Sequence, residues 1–180
     1  YLQSTIQALQ NKHPDIFLFL IKAKEVNSAV KADLDALENL LHATYEFHQV
    51  YPAVLVVITQ CDELDPPYIN ISQDKRRHPE EWEEKIRNVQ VAIQVIREHL
   101  EQRMEIYPYV VDIVPIAAFI RIRADGSIDP DPRLDHRWNI DTVAETIIQE
   151  MPLVAKIGFA RIASLKKFQE STAKSLIYSS

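Results

Sequence analysis

The residues best placed for chemistry stand directly after runs of apolar residues. Thr59-Gln60-Cys61-Asp62 follows Ala53-Val54-Leu55-Val56-Val57-Ile58, and Pro115-Ile116-Ala117-Ala118 closes the run that begins at Val110. A carboxylate such as Asp62 can accept two charge-assisted N–H bonds at once, or it can cap a turn. Taken alone, Ala117-Ala118 reads as packing. Cys61 sits next to a strand end and reads as an inert thiol. A single cysteine forms no internal disulfide and builds no thiolate zinc site by itself. The six histidines (His13, His42, His48, His78, His99 and His136) are scattered without metal-ligand spacing. Lys75-Arg76-Arg77 lies in a loop, where a solvated surface is weighed against contact with phosphate or a partner.

The composition excludes several classes. The only glycines are Gly126 and Gly158. A phosphate-binding loop or a dinucleotide fingerprint needs closely spaced glycines so that backbone amides reach the anion, and this chain has none. No Ser/His/Asp or Cys/His arrangement falls at the strand ends. A net charge of −6 argues against a general nucleic-acid surface. No apolar run approaches the roughly 20 residues of a membrane span. Lone Cys61 fits a reducing, cytosolic compartment. The chain begins at Tyr1 and not at a methionine, so it is expected to be a piece of a longer protein.

The elements that must position these residues follow from periodicity. A helix is expected over the first twelve residues, closed by Pro14. Ile16 to Ile21 is a continuous apolar run, expected as a strand buried on both faces. A helix follows from Asn27 to His48, with Val30, Leu34, Leu37 and Leu41 on its inner face. Ala53 to Ile58 is the second strand. Asp62 to His78 is read as a polar loop. A long helix runs from Pro79 to about Met104, with Trp82, Ile86, Val89, Ile93, Ile96 and Leu100 as its stripe; acids at its start and bases at its end match the helix dipole. Val110 to Ala117 is the third strand. Ala124-Asp125-Gly126-Ser127 marks a tight turn. A helix from Asn139 to Met151 turns Ile140, Val143, Ile147 and Met151 inward, and a basic terminal helix is expected from Leu153 to about Ile177. The fold class is therefore α/β: a parallel sheet of at least three strands with flanking helices plus a C-terminal helix. Residues 1–151 form the α/β part and 152–180 a helical extension. Ligands of such sheets bind beyond the carboxyl ends of the strands.

At those ends the chain resembles the translation-factor-type P-loop GTPases, Era-like branch. Val54 to Asp62 is similar to the strand and N-K-x-D motif that reads guanine. Val114 to Ala118 is similar to the S-A motif after the last strand. Asp15 to Ile21 resembles the strand after switch II, and Pro152 to Arg161 resembles the helical link that follows the GTPase domain in some Era-like bacterial proteins. Thr59 and Gln60 stand where the family has asparagine and lysine, and Ala117 where it has serine.

The resemblance implies a site for GTP or GDP at Thr59, Gln60, Asp62, Ala117 and Ala118. Asp62 would accept guanine N1–H and N2–H₂, the Ala118 amide would donate to O6, Gln60 would cover the ring, and the Thr59 hydroxyl would tie the two turns together. A site of hydrogen bonds like these discriminates by roughly 10⁴ to 10⁵. The family's phosphate loop, Mg²⁺-binding threonine and D-x-x-G segment have no counterpart here, so Mg²⁺ would enter only through a missing half, and this chain alone is expected to hydrolyse no GTP. The first strand would then have an open edge, expected to be covered by another chain, a swapped element or the terminal helix. For the basic terminal helix, contact with a protein partner is favoured over a membrane. Two other readings stay open: a non-catalytic interaction module on a degenerate GTPase scaffold, and an unrelated parallel α/β enzyme.

Overall fold

The computed structural model describes residues 2–28, 30–153 and 155–156. Their order is α1 (Leu2–Asn11), β1 (Ile16–Lys22), α2 (Val30–His48), β2 (Ala53–Thr59), α3 (Pro79–Glu101), β3 (Val110–Pro115) and α4 (Ile140–Glu150), joined by short 3-10 turns. The three strands form one all-parallel sheet in the order β1-β2-β3. Strands separated by helices have to pair this way, because each crossover returns the chain to the same end of the sheet.

Central β2 is apolar on both sides because both of its faces are covered. Val54, Val56 and Ile58 point into the larger core with Ile21 and are covered by Leu34, Leu37 and Leu41 of α2 and Val89, Ala92, Ile96 and Leu100 of α3. Leu55 and Val57 point the other way, with Val114, against Val143 and Ile147 of α4. Two links reinforce the helical layer. Arg103 ties the end of α3 to α2 through Asp35, Glu38 and the Lys31 carbonyl. His48 meets the Leu9 carbonyl at 2.6 Å and docks α1 on α2. At the amino ends of the strands, Tyr51 stacks between Tyr45 and Tyr109, with ring centroids 4.5 and 4.3 Å apart.

Several sequence expectations need correction. Strand β1 is not buried on both faces: Leu18 is 47% and Leu20 62% exposed. It is the edge of the sheet, and the cluster beneath α4 takes in Ile16 at the start of β1 but neither Leu18 nor Leu20. No strand pairs with its outer edge among the described residues. Ile140, expected inward, is exposed, whereas Ile148 is buried; the first turn of α4 lies past the sheet, so its apolar stripe begins one turn later. Helix α3 ends at Glu101 and β3 at Pro115, each slightly short of expectation. The segment after Asp62 is not simply polar. Ile69 and Ile71 are buried, and the Trp82 indole donates to the Ile71 carbonyl at 2.8 Å, so this loop is anchored to α3. The tight turn is present: Gly126 has φ +82°, and the Arg123 and Gly126 amides close it on Ser127 and Arg123. The expected terminal helix falls almost wholly outside the described residues.

Candidate functional site

The two turns singled out in the sequence meet at the carboxyl end of the sheet. Strand β2 ends at Thr59, and Gln60 takes a left-handed conformation (φ 59°, ψ 35°) that swings the chain into a 3-10 turn over Cys61–Glu63. A non-glycine residue there costs about 1–2 kcal/mol, and such strain is characteristic of sites that need a sharp reversal. The reversal is fixed from the neighbouring strand. The Ile116 amide donates to the Ile58 carbonyl at 2.7 Å, and the Cys61 amide donates to the Ile116 carbonyl at 3.1 Å. Asp62 therefore follows a residue bonded to β3's extension, and Ala118 stands two residues beyond the acceptor. Cys61 is the buried peg of this junction. Its thiol donates to the Ile58 carbonyl, and burial pushes its pKa up to about 12.

Asp62 is half-buried, and its carboxylate accepts no hydrogen bond among the described residues. What holds its turn is Lys85, a fully buried lysine of α3 whose ammonium donates to the carbonyls of Asp62 at 2.7 Å and Pro66 at 3.0 Å. Burial lowers the Lys85 pKa; the nearby Asp62 and Asp65 carboxylates and the Cys61 thiol act the other way, raising it. Asn88, one turn along the helix, donates to the Asp65 carbonyl at 2.9 Å. Helix α3 thus grips three carbonyls of the Asp62–Pro66 loop from beneath and leaves the Asp62 carboxylate free of hydrogen bonds. Sequence reasoning missed Lys85. The signal was its position, since it occupies the same helix face as Trp82 and Val89.

The two alanines differ. Ala117 is buried, and both its backbone groups are bonded to Trp138, the amide at 3.1 Å and the carbonyl at 2.9 Å. Ala118 is exposed, and its amide has no acceptor among the described residues. Only Ala118 can offer a donor to a ligand. Asn139 steadies the same corner, donating to the Pro115 carbonyl at 2.9 Å from a left-handed backbone. Thr59 does not do what was expected of it. Its hydroxyl donates to the Ile21 carbonyl at 3.2 Å, on the β1 side, so it clamps β2 to β1 and leaves the two turns to be joined by backbone bonds. Gln60 is exposed beside Asp62.

The result is a carboxylate without hydrogen bonds and an amide without an acceptor, among the described residues, on two turns that are hydrogen-bonded to each other. Such a pair can hold a planar heterocycle that offers adjacent N–H donors and a carbonyl oxygen.

Elsewhere, Glu38, His42 and Glu105 bring ligand atoms within 4.8 Å of one another. They are mostly exposed, and Glu38 already neutralises Arg103. No helix among the described residues is long and apolar enough to cross a membrane. No family model, curated protein or solved structure matches the chain.

Proposed function

We propose that this chain is the guanine-reading half of a GTP-binding α/β switch domain. The observation that carries this reading is the pairing of an Asp62 carboxylate free of hydrogen bonds with an unclaimed Ala118 amide on bonded neighbouring turns. Guanine offers N1–H and N2–H₂ to the carboxylate and O6 to the amide. Adenine would turn a lone pair toward Asp62 and has no amino group at C2, so the same groups reject it. Gln60 lies beside the base, and Lys85 acts from below as a positioning residue for the Asp62 turn.

The sequence has no phosphate loop, so phosphates, Mg²⁺ and the attacking water would be held by a segment outside this chain. In this reading a GTPase activity belongs to the complete protein, and this chain alone is inactive. The exposed Leu18 and Leu20 favour a cover for β1, a further chain or domain seated on that face of the edge strand. The same face is the specific support for a second reading, a protein-interaction module that has kept the scaffold without the nucleotide.

Titration calorimetry of GDP and ADP into the complete protein tests the first reading. GDP is expected to bind and ADP to bind at least 10³-fold more weakly, on the scale of discrimination such sites reach. Equal affinities for the two would remove the guanine assignment and leave the interaction module.

A further inference from the structure

A second polar feature lies beyond the same strand ends and has no part in reading a base. Residues 66–78, after β2, and residues 119–137, after β3, enclose a cleft of about 200 Å³. Its walls are stapled together. Asn70, 5% exposed, donates to the Asp135 carbonyl at 2.9 Å, and the Gln73 amide donates to the carbonyls of Pro132 and Asp135. The cleft is therefore a built shape, not a gap between independent loops.

Its lining is rich in donors. Arg77, from the basic triplet of this loop, has no carboxylate partner among the described residues, while Lys75 of the same triplet is spent over the Trp82 ring at 4.8 Å. Arg133 gives Nε and Nη2 to Asp131, leaving Nη1 unclaimed. His136 closes the back of the cleft, its Nε2 lying 3.1 Å from the Arg133 carbonyl and so turned to the protein and not to a ligand. Tyr68 adds a phenol at the rim. The Arg77 guanidinium, the remaining Nη1 of Arg133 and the Tyr68 phenol offer more donors than one carboxylate ligand can take up, and they match the three terminal oxygens of a phosphate. One acid, Asp74, also lines the cleft. It accepts from the Asn70 amide at 2.8 Å and disfavours a bare anion, but it would accept from a hydroxyl beside the phosphate.

We propose that this cleft binds a small hydroxylated phosphomonoester, with Arg77 as the main anchor of its phosphate and Asp74 as the acceptor for a neighbouring hydroxyl. The proposal is independent of guanine recognition, since neither Asp62 nor Ala118 lines the cleft.

Calorimetric titration with glycerol phosphate and with inorganic phosphate, at low ionic strength, tests it. Glycerol phosphate is expected to bind at least threefold more tightly than inorganic phosphate. Arg77→Ala, at an exposed position, is expected to keep the wild-type circular dichroism spectrum and to weaken glycerol phosphate at least tenfold. Asp74→Asn, which keeps an acceptor for the Asn70 amide, is expected to tighten inorganic phosphate. No binding of either probe, equal affinity for both, or an Arg77→Ala affinity within twofold of wild type overturns the proposal. Guanosine, which carries no phosphate, is titrated alongside, so that failure of the cleft and failure of the guanine reading are separate outcomes.

Discussion

The Lys85 ammonium lies 2.7 Å from the main-chain carbonyl of Asp62, with no solvent reaching the lysine side chain. A buried cation is costly unless its donors are matched. Here two carbonyls take up two of its three N–H donors, and the charge is offset by Asp62 and Asp65. Lys85→Met would leave the carbonyls of Asp62 and Pro66 without that donor. The expected loss is about 1–3 kcal/mol of unfolding free energy, measured by urea denaturation. The pH dependence follows. Burial holds the Lys85 pKa below 10.5 in the fold, so the unfolded chain binds its proton more tightly. This group's contribution to stability therefore rises as pH climbs from the folded value toward 10.5, and Lys85→Met is expected to abolish that rise.

Cys61 is expected to be inert in the folded protein. With a pKa of about 12, its thiolate at pH 8 is scarcer than that of an ordinary cysteine by a factor on the order of 10³. A chromogenic disulfide reagent should label it at most 10⁻³ times as fast under native conditions as in denaturant. Comparable rates would show that the junction between the two turns opens readily.

The half-buried Asp131 carboxyl is held at about 2, first by its hydrogen bonds to the Arg133 guanidinium and then by the Arg133 amide. A depressed carboxyl favours the fold above its unfolded pKa, and that contribution is lost as pH falls through about 2. Arg133→Ala is expected to move the Asp131 carboxyl up toward its ordinary value, read from its side-chain carbon shift during an NMR titration.

Thr59→Val keeps the shape of the side chain and removes the hydroxyl that donates to Ile21. Loss of that bond between β2 and β1 is expected to cost about 0.5–1.5 kcal/mol, measured by the shift in urea midpoint. An unchanged midpoint would deny the hydroxyl its role in holding the edge strand.

The parts of this fold that the sequence discloses are those where one force dominates. The runs Ile16 to Ile21 and Ala53 to Ile58 are too short and too uniformly apolar to be helices, and Pro79 with its following acids marks the start of α3. The two turns are legible because they must follow β2 and β3. What is not legible depends on neighbours distant in sequence. Nothing in Leu18 or Leu20 reveals that α4 stops short of them, and the direction of the Thr59 hydroxyl is set by the position of β1. Ile69 and Ile71 are buried only because Trp82 and α3 lie beneath them. Lys85 shows a charge where the helical stripe calls for an apolar residue, a local conflict that marks a functional or strained position.

A base-specificity exchange at Asp62 tests the central claim most directly. Xanthine keeps N1–H but carries a carbonyl at C2 where guanine carries an amine. In Asp62→Asn the side-chain oxygen would still accept from N1–H, while the amide nitrogen would donate to that carbonyl. Titrating GDP and xanthosine diphosphate into the complete protein, the wild type is expected to prefer GDP and Asp62→Asn to prefer xanthosine diphosphate, each at least tenfold. A variant that merely misfolds would lose both ligands. The same GDP-to-xanthosine ratio in the two proteins would contradict a role for the Asp62 carboxylate in reading a purine.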